Sequence, residues 1–110
     1  KAVRKEAIQR ETKYAAEVPM EVARTASELL PMIDAAARRG NSNAVTDATV
    51  AMMCARTAVI GALLNVRINL TSITDEAFVK TMTEEADRLE AAAVEAEQKL
   101  LEYVKAHAFN

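Results

Sequence analysis

Along this chain, apolar residues recur every three or four positions, the spacing that places side chains on one side of an α-helix. The first such stretch covers about residues 3–16, and the next covers about residues 20–39. Between them stands Val18-Pro19. Because proline lacks an amide hydrogen and suits the first turn of a helix, this pair predicts a break between two helices. Pro31, inside the second helix, predicts a kink and not a further break.

A third helix is predicted from about Thr46 to Leu70. Gly40, which follows two arginines, is placed to end the preceding helix in the left-handed conformation that glycine adopts without strain. Asn43 or Thr46 can cap the new helix. Asp47 then puts a negative charge in its first turn, where the helix dipole favours one.

A fourth helix of about 33 residues is predicted after a short turn, with Thr74 as its cap. Its apolar positions share one side: Phe78, Met82, Leu89, Ala93, Leu100 and Val104. Two glycines and two prolines in 110 residues are too few for the turns of a β-rich fold. The sequence therefore predicts an all-α fold, an up-and-down bundle of about four long helices, with residues 1–110 as a single helical unit.

Charge and cysteine content narrow the class of protein. The 16 acidic and 14 basic residues are spread along the chain and leave a net charge of −2, so we expect no nucleic-acid partner. Cys54 has no cysteine or histidine nearby at metal-ligand spacing, which fits a reducing cytoplasm. We expect no membrane partner, because no apolar stretch approaches the roughly 18–20 residues that cross a bilayer. The absence of an initiator methionine indicates a fragment.

Small and polar residues form a stripe along one side of the third helix. At 100° per residue, six positions project within about 40° of one line: Asp47, Cys54, Ala58, Gly61, Asn65 and Asn69. Glycine inside a helix costs about 1 kcal/mol relative to alanine, and buried asparagines need hydrogen-bond partners. Two explanations remain open. The stripe either admits a closely packed neighbouring helix or forms the polar wall of a pocket.

Other candidate residues are weaker. Arg67 points away from the stripe, which favours a solvated or intersubunit ion pair over a ligand contact. The turn from Gly40 to Asp47 is an ordinary capped turn or, because free amides at a helix N-terminus attract anions, part of a binding site. The chain contains no phosphate loop, nucleotide fingerprint or His-Glu metal motif, so we expect neither a metal nor a nucleotide.

Three ordered segments carry a family resemblance: residues 40–47 (Gly-Asn-Ser-Asn-Ala-Val-Thr-Asp), residues 61–70 (Gly-Ala-Leu-Leu-Asn-Val-Arg-Ile-Asn-Leu) and residues 73–75 (Ile-Thr-Asp). With the upstream Ala15-Ala16-Glu17-Val18-Pro19-Met20, the series resembles the cyclodeaminase domain of formiminotransferase-cyclodeaminase and the related methenyltetrahydrofolate cyclohydrolases. The resemblance covers nearly all of the chain and corresponds to the C-terminal portion of that domain.

The resemblance implies a helical, homodimeric, cytoplasmic enzyme domain of one-carbon metabolism, with a tetrahydrofolate derivative as its substrate. Such enzymes either release ammonia from 5-formiminotetrahydrofolate to form 5,10-methenyltetrahydrofolate, as lyases, or hydrolyse the methenyl compound. Both reactions need proton transfers that carboxylates and amides can assist. Family members also carry a glycine-rich loop and an acidic residue near the front of the domain. This chain contains neither, so the resemblance does not extend to activity of these 110 residues alone.

Carried onto this sequence, the resemblance makes Asp47 the catalytic candidate, as a proton relay or as the residue that fixes the turn. The substrate-binding candidates are Asn41, Asn43, Asn65, Arg67 and Asn69. The asparagines would orient the pterin or the one-carbon group. The alternative is a non-catalytic helical module for dimerisation or interaction that keeps the fold.

Overall fold

The computed structural model describes residues 1–109 and contains three helices in that range: α1 (Ala2–Arg39), α2 (Ser42–Leu70) and α3 (Glu76–His107). Short links join them, so neighbouring helices run antiparallel along a body of 67 × 17 × 16 Å. The all-α class is confirmed. The prediction of about four helices is wrong by one, because the first two predicted helices are a single helix.

Helix α1 continues through Pro19, where we predicted a break. Proline at this position removes the hydrogen bond to the carbonyl of Ala15, four residues earlier. The side-chain amide of Asn69 in α2 donates to that carbonyl at 3.3 Å. Ala16 and Met20, on either side of Pro19, are completely buried. The helix therefore persists because a residue 50 positions away replaces the lost donor and because its core side is packed.

The end of α1 also differs from the prediction. Gly40 has φ −85° and ψ 166°, which is extended and not left-handed. The link to α2 is so short that the chain must leave α1 extended to reach the cap of α2. Glycine is needed here for space, since an added Cβ would lie 2.7 Å from the Cβ of Ala44. Helix α1 also continues through Pro31 without a break, as predicted, while the kink expected there stays a prediction.

Both later helices begin at caps that the sequence pattern missed by a few residues. Asn41, and not Asn43 or Thr46, caps α2 by accepting a hydrogen bond from the amide of Ala44 at 3.0 Å. Asp75, and not Thr74, caps α3 by accepting from the amide of Phe78 at 3.1 Å. In each case the residue that ends the link has the extended backbone that a capping residue requires.

The core lies where the three helices meet. Its largest fully buried side chains are Met20, Met52, Val59, Leu63, Val66 and Leu100. The stripe predicted on the last helix is confirmed, since Met82, Ala93, Leu100 and Val104 are buried and the other two members pack against them. The apolar positions predicted for the first 15 residues are not core: Val3, Ile8 and Tyr14 are at least half exposed.

Helix α2 is more apolar than its neighbours. Within it, an 18-residue window has a mean hydropathy of 1.6, so α2 is long and apolar enough to cross a bilayer. The expectation that no stretch reaches this level is therefore wrong. The core helix of a water-soluble protein meets the same criteria, and one side of α2 is packed against α1 and α3. Only 39% of the window is buried, however, so much of its apolar surface is open.

Candidate functional site

The first group of predicted site residues lies at the amino end of α2 and consists of Asn41, Asn43 and Asp47, here called the amino-end group. All three are exposed. Asn41 is committed to capping the helix through the amide of Ala44. The hydrogen bonds of this region are otherwise local, such as the one from the Thr46 hydroxyl to the carbonyl of Asn43 at 2.9 Å. Nothing from α1 or α3 is bonded to the three side chains.

Asp47 stands out within the amino-end group. Among residues 1–109 its carboxylate takes part in no ion pair. It lies one and a half turns into α2 and points outward, so the prediction that it stands in the first turn is wrong, because the helix begins at Ser42. A solvated carboxylate near a helix N-terminus can accept or return a proton, and it can also accept a hydrogen bond from a ligand. Its accessibility is compatible with the catalytic role that the resemblance implies.

The second group lies at the carboxyl end of α2 and consists of Asn65, Arg67 and Asn69, here called the carboxyl-end group. Asn69 donates both amide hydrogens within the protein: one to the carbonyl of Asn65 at 2.8 Å, the other to the carbonyl of Ala15 at 3.3 Å. Because that second acceptor is the one freed by Pro19, Asn69 has a structural task in holding α1 against α2. Asn65 itself is exposed.

Arg67 is bonded to α3. Its guanidinium pairs with Asp87 at 2.9 Å and with Glu90 at 2.7 Å. Partial burial lowers the pKa of Arg67, but the hydrogen bonds from the two carboxylates outweigh it and the net shift is upward. We expected a solvated or intersubunit ion pair for Arg67, and the structure shows an ion pair within the chain. This ion pair directs the Arg67 side chain toward the surface of α3 and away from Asn65.

The structure does not bring the two groups together. Asp47 and Asn65 are eighteen residues apart on one continuous helix, which separates them by about 27 Å at 1.5 Å per residue. A single pterin ring cannot contact both. Within one copy of this chain, the predicted residues therefore form two separate ends of a surface and not one pocket.

The stripe between the two groups faces outward. Asp47, Cys54, Ala58, Gly61 and Asn65 are all exposed. A Cβ added to Gly61 would meet nothing within 4 Å. The interpretation that Gly61 admits a neighbouring helix is therefore wrong for contacts inside this chain, where α1 and α3 pack on the other side of α2.

Sequence reasoning missed the polar contacts that hold the α2–α3 link. Gln9 donates to the carbonyl of Ser72 at 3.1 Å and accepts from the amide of Thr74 at 2.9 Å. One turn later, Lys13 pairs with Asp75 at 2.8 Å. Residues 73–75 belong to the segments that carry the resemblance, but no local pattern identifies partners more than 60 positions away. The contacts explain why this link is ordered without assigning it any chemistry.

A groove between α1 and α3 also escaped prediction. It has a volume of about 450 Å³, and Pro31 is among the residues that line it. Two ion pairs form its walls, Asp34 with Arg38 on α1 and Glu95 with Lys99 on α3. It contains none of the predicted site residues. In residues 1–109, no cluster of three or more histidine, cysteine, aspartate or glutamate side chains could hold a metal ion.

Comparison with known proteins agrees with the resemblance. A family model described as formiminotransferase-cyclodeaminase matches residues 1–88. A methenyltetrahydrofolate cyclohydrolase from Methylorubrum extorquens is 33% identical over 105 residues, which cover 96% of this chain and 50% of that enzyme. Formimidoyltransferase-cyclodeaminases from Rattus norvegicus and Mus musculus are each 39% identical over 72 residues, which cover 66% of this chain and 13% of each relative.

The chain thus spans about half of the bacterial relative and a smaller share of the mammalian ones. The family match includes the whole of α2 and its cap Asn41, where the site candidates lie. Since the family model covers residues 1–88 of the 110, this chain belongs to the formiminotransferase-cyclodeaminase family.

Proposed function

We propose that this chain is the C-terminal portion of an enzyme domain that acts on one-carbon derivatives of tetrahydrofolate, and that the enzyme is a methenyltetrahydrofolate cyclohydrolase. The observation that carries the proposal is the match to the bacterial cyclohydrolase along 96% of this chain. The mammalian bifunctional proteins match a shorter stretch of 72 residues. We place the enzyme in the cytoplasm as a homodimer, as the resemblance implies.

In the proposed reaction, water adds to the methenyl carbon between N5 and N10 of the folate. The water loses both of its protons as the carbonyl of the formyl group forms and the bond from N5 to that carbon breaks. One proton leaves to solvent, and the other ends on N5. A carboxylate with free access to the substrate can shuttle this proton. Asp47 is the candidate, since it is exposed and unpaired among the described residues.

The amides of the candidate site would orient the substrate. Asn43 lies one turn before Asp47, is exposed and can present both a donor and an acceptor to the edge of a pterin ring. Asn65 is exposed too, but it belongs to the other end of α2 and would not contact the same ring. The side-chain oxygen of Asn41 and both amide hydrogens of Asn69 already form hydrogen bonds inside the protein, so these two residues would support the site by positioning α2. Arg67 is held by two carboxylates on α3 and would take the same supporting role.

The second candidate function is formiminotetrahydrofolate cyclodeaminase, because identity to the mammalian proteins is higher, at 39%, over the stretch that they share with this chain. The two activities are distinguished by offering the full-length parent protein 5-formiminotetrahydrofolate and methenyltetrahydrofolate separately. A cyclohydrolase consumes the methenyl absorbance without ammonia. A cyclodeaminase produces that absorbance and releases ammonia. No reaction with either substrate would overturn the enzyme proposal in favour of the non-catalytic interaction module.

A further inference from the structure

The side of α2 that points away from α1 and α3 carries an extended apolar surface, here called the open face: Val50, Cys54, Gly61, Leu64 and Ile68. Val50, Leu64 and Ile68 are each about 60% exposed, at 59%, 61% and 64%. The only charged residue between Thr49 and Val66 is Arg56, which pairs with Glu97 of α3 at 2.6 Å. The open face therefore lacks the charges that normally cover the solvent side of a surface helix.

Helix α1 extends the open face sideways. Val22 and Leu29 are 52% and 45% exposed, and at 100° per residue both project about 140° or more around α1 from Arg24, the residue that pairs with α3. The exposed part of α2 from Val50 to Ile68 is about 27 Å long. With Val22 and Leu29 beside it, this apolar strip is long enough for about five turns of a partner helix.

Gly61 at the centre of the open face supplies an independent argument. Glycine inside a helix costs about 1 kcal/mol relative to alanine. Among residues 1–109 nothing offsets that cost, since an added Cβ would meet no atom within 4 Å. A glycine is favoured there when another backbone approaches too closely for any side chain, so the feature points to a helix that is absent from these 110 residues.

We propose that the open face is the docking surface for a helical segment that corresponds to the half of the bacterial cyclohydrolase with no counterpart in this chain. That enzyme matches 96% of the chain with only 50% of its own length, so an equal length of polypeptide remains unmatched. The segment is uncharged on its contact side, places a small residue against Gly61 and covers Leu64 and Ile68 with apolar side chains. The inference rests on the family relationship and not on which folate reaction is catalysed.

The test uses the 110-residue chain and, as a separate polypeptide, the unmatched half of the Methylorubrum extorquens enzyme. Sedimentation velocity is expected to reveal a one-to-one complex. In Gly61→Leu the added side chain blocks the approach and weakens the complex at least about tenfold, which corresponds to the usual cost of overpacking. Thr83→Leu places the same leucine side chain at an exposed position of α3 and should change affinity less than about twofold.

A second experiment covers the case in which the two separate polypeptides do not associate because their sequences have diverged. A chimera joins the unmatched half of the bacterial enzyme to this chain in one polypeptide, and its Tm is measured for the same two variants. A lower Tm in Gly61→Leu but not in Thr83→Leu supports the inference even if the separate pieces do not associate. Equal Tm values, with no complex in the first experiment, would overturn it.

Two other occupants of the open face would give different experimental results. A homodimer of the 110-residue chain that Gly61→Leu dissociates would show that a second copy covers the open face. Cosedimentation of the chain with neutral phosphatidylcholine vesicles, lost in Ile68→Glu, would show that a lipid surface does. Either result would overturn the inference. None of these readouts involves folate turnover, so they stand apart from failure of the proposed function.

Discussion

The two ends of α2 are held in different ways. At the carboxyl end, Asn69 bonds to α1 and Arg67 bonds to α3, while Gln9 and Lys13 of α1 hold the link that follows. At the amino end, the bonds of Asn41 and Thr46 stay within four residues along the chain. The carboxyl-end residues therefore serve mainly to assemble the helices. The amino-end residues leave Asp47 exposed and available for chemistry.

The largest effect is expected from Asp47→Asn in the full-length parent protein. If Asp47 relays the proton, the amide cannot do so, and kcat should fall by about 100-fold or more. The free energy of unfolding should stay within about 0.5 kcal/mol, because Asp47 is exposed and has no ion-pair partner among the described residues. Steady-state assays with methenyltetrahydrofolate, paired with urea unfolding, measure both quantities. Turnover equal to wild type would exclude the relay.

A smaller effect, on the free energy of unfolding, is expected when an ion pair that joins α1 to α3 is removed. Arg24 binds Glu85 through two hydrogen bonds of 2.6 Å, and the Glu85 side chain is only 18% exposed. These bonds hold the pKa of Glu85 below its usual 4.5 and raise that of Arg24. A carboxyl with a lowered folded-state pKa stabilises the fold above its unfolded pKa. That stabilisation is lost as the pH falls through the pKa that the carboxyl has in the folded state.

The variant Glu85→Gln should therefore cost on the order of 1 kcal/mol at pH 7, a value reduced because Arg24 is 40% exposed. The cost should shrink below pH 4.5 as the carboxyl of the wild-type protein becomes protonated. Urea unfolding at a series of pH values measures the difference. Glu84→Gln is a suitable control, because Glu84 is 63% exposed and its pair with Lys80 is long, at 3.9 Å.

At the carboxyl end, Asn69→Ala should destabilise the fold by about 1 kcal/mol, since it removes the donor that replaces the missing amide of Pro19. In a Pro19→Ala background the backbone amide of residue 19 can bond to the carbonyl of Ala15 again. The cost of Asn69→Ala should then fall by about half, and a double-mutant cycle measures this coupling. Additive effects of the two substitutions would contradict the assigned role of Asn69.

At the amino end, Asn41→Ala removes a helix cap and should cost about 0.5–1 kcal/mol, because the bond from the Ala44 amide is lost. Asn41→Asp keeps an acceptor at the same place and should retain most of the stability. The loss of stability in Asn69→Ala depends on α1, whereas the loss of stability in Asn41→Ala should not depend on any residue of α1. A cycle that combines Asn41→Ala with Pro19→Ala serves as the matched control, and coupling in it would break the distinction between the two ends.

Local patterns predicted α3 well, because its apolar residues repeat regularly over 32 residues and no proline interrupts them. They misjudged α1 at Pro19, where the outcome depends on a hydrogen bond from Asn69. The site candidates were chosen by resemblance. The distance between Asp47 and Asn65 was already implied by their positions on one helix, whereas the bonds of Arg67 and Asn69 to other helices had no signal in the local sequence.

By itself, the sequence determined that the chain is helical, which family it resembles and that a polar stripe runs along α2, because these depend on residue types and spacing. Only the tertiary structure decided that α1 is continuous, that Arg67 and Asn69 bind neighbouring helices and that Gly61 faces outward. The physical reason is that a backbone hydrogen bond or a packed face depends on partners that lie far away along the chain. The stripe that close packing could have explained lies on the side of α2 that no other residue of the described range 1–109 covers.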